Sequence, residues 1–180
     1  GYGWVFPKGN CVNVGLGRFG ERRLTEATER FAEWLRREGR IPPDVANRGR
    51  WHGHAYAVSD ANGVREREAV PADGVLLVGD ALGLAYAESG EGIRPAVESG
   101  WLAAEAILSA AGRYSRSRLS TYATAVATRF DLHPRTAPAD GGGPGRAARA
   151  AAGTLLSIPW FVRHVVMDRW FLRATQPALV

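Results

Sequence analysis

Two glycine-bearing clusters hold the residues best suited to chemistry. Gly79-Asp80-Ala81-x-Gly83 follows the apolar run Val75-Leu76-Leu77-Val78, and Ser89-Gly90-Glu91-Gly92-Ile93 comes about ten residues on. A strand buried on both faces reads as such a short continuous apolar run, and open α/β sheets place ligands at the carboxyl ends of their strands. Gly79 permits close backbone approach, and the Asp80 carboxylate is suited to accept hydrogen bonds from sugar or ribityl hydroxyls. Gly90-Glu91-Gly92 opens a helix whose first N–H groups form a positive nest, suited to an anion or to developing negative charge. The plainer alternative is a strand, a turn and a helix in which Asp80 is only a cap. The full run, with both glycine clusters at this distance, favours a ligand site.

A second candidate is the opening segment, where Tyr2, Trp4 and Phe6 alternate with Gly3 and Val5 ahead of Pro7. On a strand these three aromatics share one face. Such a face packs a core or a neighbouring strand, or it lines an apolar cavity. Other reactive residues are less telling. His52, His54, His133 and His164 do not fall into metal-ligand spacing with Cys11 or with acidic partners, so no metal is expected. Cys11 reads as a small core residue. Glu91 is the acid beside the proposed ligand, but no catalytic residue is assigned.

The elements that must position these groups follow from periodicity. Tyr2–Phe6 and Cys11–Gly15 alternate around the turn residues Pro7 to Asn10, which predicts a β-hairpin. Thr25 to Glu38 has helical period, with Leu24, Ala27, Phe31, Trp34 and Leu35 on one face, Thr25 as the expected cap, and Gly39 and Pro42-Pro43 as stops. Trp51–Val58 reads as a strand and Asp60–Gly63 as a turn. A helix over 92–111 carries Ile93, Ala96, Val97, Gly100, Trp101, Ala104, Ile107 and Leu108 as a stripe that should pack on a sheet. A further helix over 117–130 turns Leu119, Tyr122, Ala123, Val126 and Phe130 to one side. Residues 134–145 are linker-like, and an Ala/Arg helix precedes the aromatic-rich segment Leu155–Leu172. Packing against the protein body is the plainer role for that segment; contact with a lipid substrate or a membrane surface is the sharper one.

Bulk properties narrow the class. The 180 residues are 46% hydrophobic and 23% charged, the profile of a globular domain. A single cysteine excludes an intrachain disulfide. The net charge of +5 comes almost wholly from arginines scattered among acids, which argues against nucleic acid as a partner. No basic leader or apolar span of about 20 residues is present, so the expected location is cytoplasmic, with peripheral membrane contact left open.

On these motifs the chain resembles the FAD superfamily of para-hydroxybenzoate hydroxylase type, and within it the geranylgeranyl reductases. The Gly79-Asp80 run and the Ser89–Ile93 run are similar to that superfamily's second flavin-contacting motif, and Tyr2-x-Trp4-x-Phe6-Pro7 resembles the reductases' aromatic signature by the substrate cavity. The resemblance implies FAD as cofactor, held through Gly79, Asp80, Ala81, Gly83, Gly90, Glu91, Gly92 and Ile93. It implies a hydrophobic small molecule or lipid as substrate, lined by Tyr2, Trp4, Phe6 and Pro7. NADPH, NADH or ferredoxin are all open as reductant. The implied fold is α/β: the C-terminal part of a Rossmann-like FAD-binding oxidoreductase, with a β-sheet substrate-domain portion and a helical C-terminus. Its expected divisions are residues 1–72, the end of the substrate domain; 73–132, the flavin-contacting segment; 133–146, a linker; and 147–180, a helical region.

Ala87 stands where many members have proline, and no Gly-x-Gly-x-x-Gly follows a strand. The N-terminal FAD-binding half is therefore the expected missing partner, and the 180 residues alone should hold FAD weakly and be inactive. The implied reaction is reduction of carbon–carbon double bonds in an isoprenoid or related lipid. A flavin monooxygenase or halogenase, or an inactive truncated fragment, are the alternatives.

Overall fold

A computed structural model of the chain describes residues 1–18, 23–44, 51–58, 71–132 and 146–179. These form two units, Gly1–Ala55 and Tyr56–Val180. The predicted turn over 60–63 and the linker over 134–145 lie outside the described residues.

In the first unit, β1 (Tyr2–Lys8) and β2 (Cys11–Gly17) form the expected antiparallel hairpin. Lys8 pairs with Cys11, so Gly9 and Asn10 make a two-residue turn in which Gly9, at φ 60°, takes the left-handed corner. The register sorts the side chains by face. Tyr2, Trp4 and Phe6 stand opposite Gly17, Gly15 and Asn13, while Gly3, Val5 and Pro7 stand opposite Leu16, Val14 and Val12. The second face receives α1 (Leu24–Arg37): a methyl group on Gly3 would come within 2.5 Å of the Phe31 ring.

Two expectations are corrected in this unit. Thr25 does not cap α1, because the helix already begins at Leu24 with Arg23 as its N-cap; the hydroxyl that bonds in the first turn is that of Thr28, donating to the Leu24 carbonyl at 2.8 Å. Cys11 is exposed, because the strand starts beside the turn and the thiol reaches only Asn10 Oδ1 at 3.3 Å. The buried stripe of α1 is Ala27, Thr28, Ala32 and Leu35, and Trp34 lies 45% exposed, stacked on Phe31.

In the second unit, Val75–Val78 leads into a single turn α2 (Gly79–Leu82), followed by α3 (Ile93–Ala110) and α4 (Arg116–Arg129). The core is made by Leu82, Leu84, Ala103, Ala106, Tyr122 and Val126, edged by Leu76, Leu102, Phe130 and Leu132. The α3–α4 turn is tied down from afar: Asp73 Oδ1 accepts the Arg116 N–H at 2.6 Å, and the Gly74 N–H donates to the Tyr114 carbonyl at 2.7 Å. The predicted α4 face is the buried one, with Leu119, Tyr122 and Val126 enclosed.

Val75–Val78 is not the doubly buried strand its composition suggests. It finds no partner strand among the described residues, so Val75, Leu77 and Val78 stay 37–51% exposed and only Leu76 turns to the core. The Tyr122 hydroxyl fastens this run, donating to the Leu77 carbonyl at 2.5 Å. Trp51–Val58 likewise forms no strand; only Val58 makes an isolated parallel bridge, to Ala85. The apolar stripe of α3 is corrected for the same reason. With no sheet to receive it among the described residues, Ile93, Val97, Trp101, Ile107 and Leu108 lie open; the helix buries Pro95, Ser99, Ala103, Ala106 and Ala110 instead, with Ala103 and Ala106 in the core beside Tyr122 and Val126 of α4. The observed architecture is thus mixed α/β, with a two-stranded sheet among the described residues. Beyond it, α5 (Arg146–Leu156) and α6 (Pro159–Phe161) lead into a π-helical run, Val162–Phe171.

Candidate functional site

The fold brings the two glycine clusters together. Gly79 takes φ 53°, and its N–H donates to the buried Ser99 Oγ at 2.9 Å. A β-carbon there would lie 2.9 Å from the Ala96 β-carbon, so only glycine lets the end of the extended run press on α3. Asp80 is consequently carried to the N-terminus of α3: a methyl group on Gly92, the helix N-cap, would stand 2.7 Å from Asp80 Oδ1. Asp80, Ala81 and Ile93 are exposed, Glu91 and Gly92 half-buried, and Gly79, Gly83 and Gly90 buried. The loop between the clusters is closed on itself, with the Tyr86 N–H donating to the Glu91 carbonyl at 2.9 Å and the Gly90 N–H to the Tyr86 carbonyl at 2.7 Å. The Tyr56 hydroxyl adds a bond to the Gly90 carbonyl at 2.8 Å.

Glu91 alters the expected chemistry of this terminus. Its Oε1 accepts the N–H groups of Ile93 at 2.7 Å and Arg94 at 3.1 Å, so two donors that the sequence reading leaves for a ligand are already used. The helix terminus therefore stabilises the chain's own carboxylates, those of Glu91 and Asp80, rather than an open anion nest. What it offers outward is an exposed acceptor, Asp80, on a surface kept low by glycine. Hydroxyl donors fit that surface.

Behind it lies a polar network that sequence reasoning missed. Glu98, 8% exposed, accepts from Arg94 Nε at 2.9 Å and from Arg129 through Nε at 2.9 Å and Nη2 at 2.6 Å. Burial pushes the Glu98 carboxyl up, but the hydrogen bonds from Arg129 and Arg94 outweigh it and hold the group below the usual carboxylate range. Arg94 also donates to the carbonyls of Leu172, Arg173, Gln176 and Pro177 at 2.9–3.4 Å. Arg173 in turn lies 4.3 Å over the Tyr86 ring and bonds Glu88 at 2.9 Å. The Tyr86 hydroxyl and Glu91 Oε2 are buried with no hydrogen-bond partner among the described residues, and burial raises the Tyr86 phenol above its ordinary value. Only Arg94-x-x-x-Glu98, an i,i+4 pair on a helix, was visible in the sequence as a signal of this network.

The aromatic candidates occupy the first unit. Tyr2 and Trp4 are half-buried and Phe6 is 60% exposed, all on the hairpin face away from α1. The Trp4 indole lies flat across Gly15, where any β-carbon would fall inside the ring, and its N–H donates to Asn13 Oδ1 at 2.7 Å. The Tyr2 and Trp4 rings are 5.7 Å apart. The result is an aromatic plate rather than a core.

Fold and site together define a mixed α/β chain with a carboxylate presented at a glycine-bounded helix start and a separate aromatic plate. Its sequence is 34% identical to a digeranylgeranylglycerophospholipid reductase of Methanocaldococcus jannaschii over 106 residues, which are 58% of this chain and 25% of that protein. It is 30% identical to digeranylgeranylglycerophospholipid reductase 2 of Methanosphaera stadtmanae over 138 residues, 74% of this chain and 33% of that protein. With the digeranylgeranylglycerophospholipid reductase of Methanothrix thermoacetophila it shares 38% identity over 115 residues, 61% of this chain and 26% of that protein. No family model and no solved structure matches. The chain spans about a quarter to a third of the length of these curated relatives. The resemblance read from the motifs stands: this chain is geranylgeranyl reductase-like.

Proposed function

We propose that the chain is the flavin- and substrate-contacting part of an FAD-dependent oxidoreductase that reduces carbon–carbon double bonds of an isoprenoid lipid. The observation that carries this reading is the meeting of Asp80 with Gly92 at the start of α3. It gives a carboxylate acceptor, backed by a helix N-terminus, on a surface where a polyhydroxylated cofactor chain can lie close. The names of the relatives, all digeranylgeranylglycerophospholipid reductases, support the lipid substrate. A bound flavin supplies the hydride; the residues of this chain supply placement. Asp80 holds hydroxyls of the cofactor, with Gly79, Ala81, Gly83, Gly90 and Gly92 keeping the surface accessible. Glu91 fixes the helix start and sets the local negative charge. Tyr2, Trp4 and Phe6 offer an apolar plate to an isoprenoid chain; Pro7, on the opposite face of the hairpin, is not part of it. A productive pose depends on such positioning more than on any single side chain.

The test is flavin titration of the complete natural protein and its Asp80→Ala variant. Loss of a charge-assisted hydrogen bond of about 1.5–3 kcal/mol should weaken FAD binding roughly ten- to a hundredfold. Undiminished flavin affinity in the variant would return Asp80 to a structural cap. Product formed only in the presence of oxygen would replace the reductase reading with a monooxygenase or halogenase.

A further inference from the structure

The C-terminal helices bury none of their described residues. From Leu155 through Leu172 the sequence holds Leu155, Leu156, Ile158, Trp160, Met167 and Leu172, and each is 43–65% exposed. The segments Ala150–Leu156 and Pro159–Phe171 are bent by 85° about Ser157-Ile158. Pro159 forces the break, since it cannot continue the preceding helix. Four of the six exposed residues, Leu155, Leu156, Ile158 and Trp160, thereby gather at the corner. No single helix among the described residues is long and apolar enough to cross a membrane. Arg163, Asp168 and Arg169 interrupt the longer arm as well.

Charge separates this corner from the other uncovered apolar surface, the stripe of α3. Residues 146–180 carry five arginines (146, 149, 163, 169 and 173) against Asp168 alone, of which Arg173 is paired with Glu88. Arg163 and Arg169 are exposed on the helix that follows the corner. An apolar tip bearing tryptophan, followed by arginines, combines the two attractions an anionic lipid surface offers.

We propose that the corner between α5 and α6 docks on the face of an anionic bilayer, with Leu155, Leu156, Ile158 and Trp160 entering the headgroup region and the neighbouring arginines meeting lipid phosphates. This does not rest on the reductase reading, and its test needs neither flavin nor turnover. The complete natural protein is floated with vesicles of phosphatidylcholine containing phosphatidylglycerol and with vesicles of phosphatidylcholine alone. Binding should favour the anionic vesicles and weaken with added salt. Leu156→Ser with Trp160→Ser should reduce it at least tenfold, and Arg163→Gln with Arg169→Gln should abolish its salt dependence. Trp34→Ser, an exposed tryptophan elsewhere, should leave it unchanged. Equal binding to both vesicle types, parent-like binding by the tip variant, or no binding at all would overturn the proposal. So would a lowered melting temperature or a changed oligomeric state of the lipid-free tip variant, since either would mean that protein covers the corner.

Discussion

Glu98→Gln is the perturbation that tests the polar network behind the candidate site. The Glu98 carboxylate is the common acceptor for Arg94 and Arg129, taking three hydrogen bonds of 2.6–2.9 Å. Its side chain is 9% exposed, that of Arg129 12% and that of Arg94 25%. Removing one partner of a buried ion pair costs about 3–5 kcal/mol because the remaining charge is left buried. Here the low end applies, since Arg94 keeps the carbonyls of Leu172, Arg173, Gln176 and Pro177 and Arg129 keeps that of Pro177. A loss of about 3 kcal/mol corresponds to a fall in melting temperature of roughly 6–12 °C in a chain of this size. The pH dependence has a definite sign. The folded-state pKa of Glu98 is depressed below 4.5, so its contribution is present above that value and disappears as pH falls through the folded pKa. Thermal melts followed by circular dichroism at pH 7 and at stepwise lower pH should show the gap between parent and variant closing below pH 4.5. A variant that melts within about 2 °C of the parent at pH 7 would refute the network's role. A gap that stays constant through the acid range would refute the charge argument even if the stability loss is real.

Trp4→Ala should cost only about 1 kcal/mol, because the half-exposed indole lies on Gly15 rather than inside a core. In the complete enzyme it should lower turnover or change which double bonds are reduced, with flavin content held; melting temperature, flavin content and product profile on one sample check this. Tyr122→Phe should cost about 0.5–1.5 kcal/mol by removing the bond to the Leu77 carbonyl, read by urea unfolding. Burial pushes the Tyr122 phenol up to about 12 from 10.0, so its stabilisation is whole below pH 10 and is lost between pH 10 and 12; the phenylalanine variant should lack that alkaline loss.

Local order was legible in the sequence, and its limits follow from where partners come from. The hairpin could be read because both strands and the Gly9-Asn10 turn are contiguous, and α4 because its own period of apolar residues matches the face it buries. The approach of Asp80 to Gly92 in the candidate site was legible because glycine spacing encodes close approach. Val75–Val78 and the stripe of α3 were read correctly as apolar and wrongly as buried, because burial depends on a surface that these residues do not themselves provide. Glu91 folding back on Ile93 and Arg94 is a capping choice made by rotamers, which spacing does not fix. Arg129 and the carbonyls of 172–177 reach Arg94 and Glu98 from 31 to 83 positions away, beyond any local pattern.

The uncovered stripe of α3 also sets an order of assembly. Its contacts with α4 and the Tyr122 core join neighbouring stretches of chain, so this part of the fold can form quickly. Ile93, Val97, Trp101 and Leu108 then remain in water, since nothing among the described residues covers them. The chain so folded displays an apolar ridge, the kind of surface that chaperones hold and that nucleates aggregates. Yield of soluble protein should therefore hinge on this ridge more than on the stability of the helical pair.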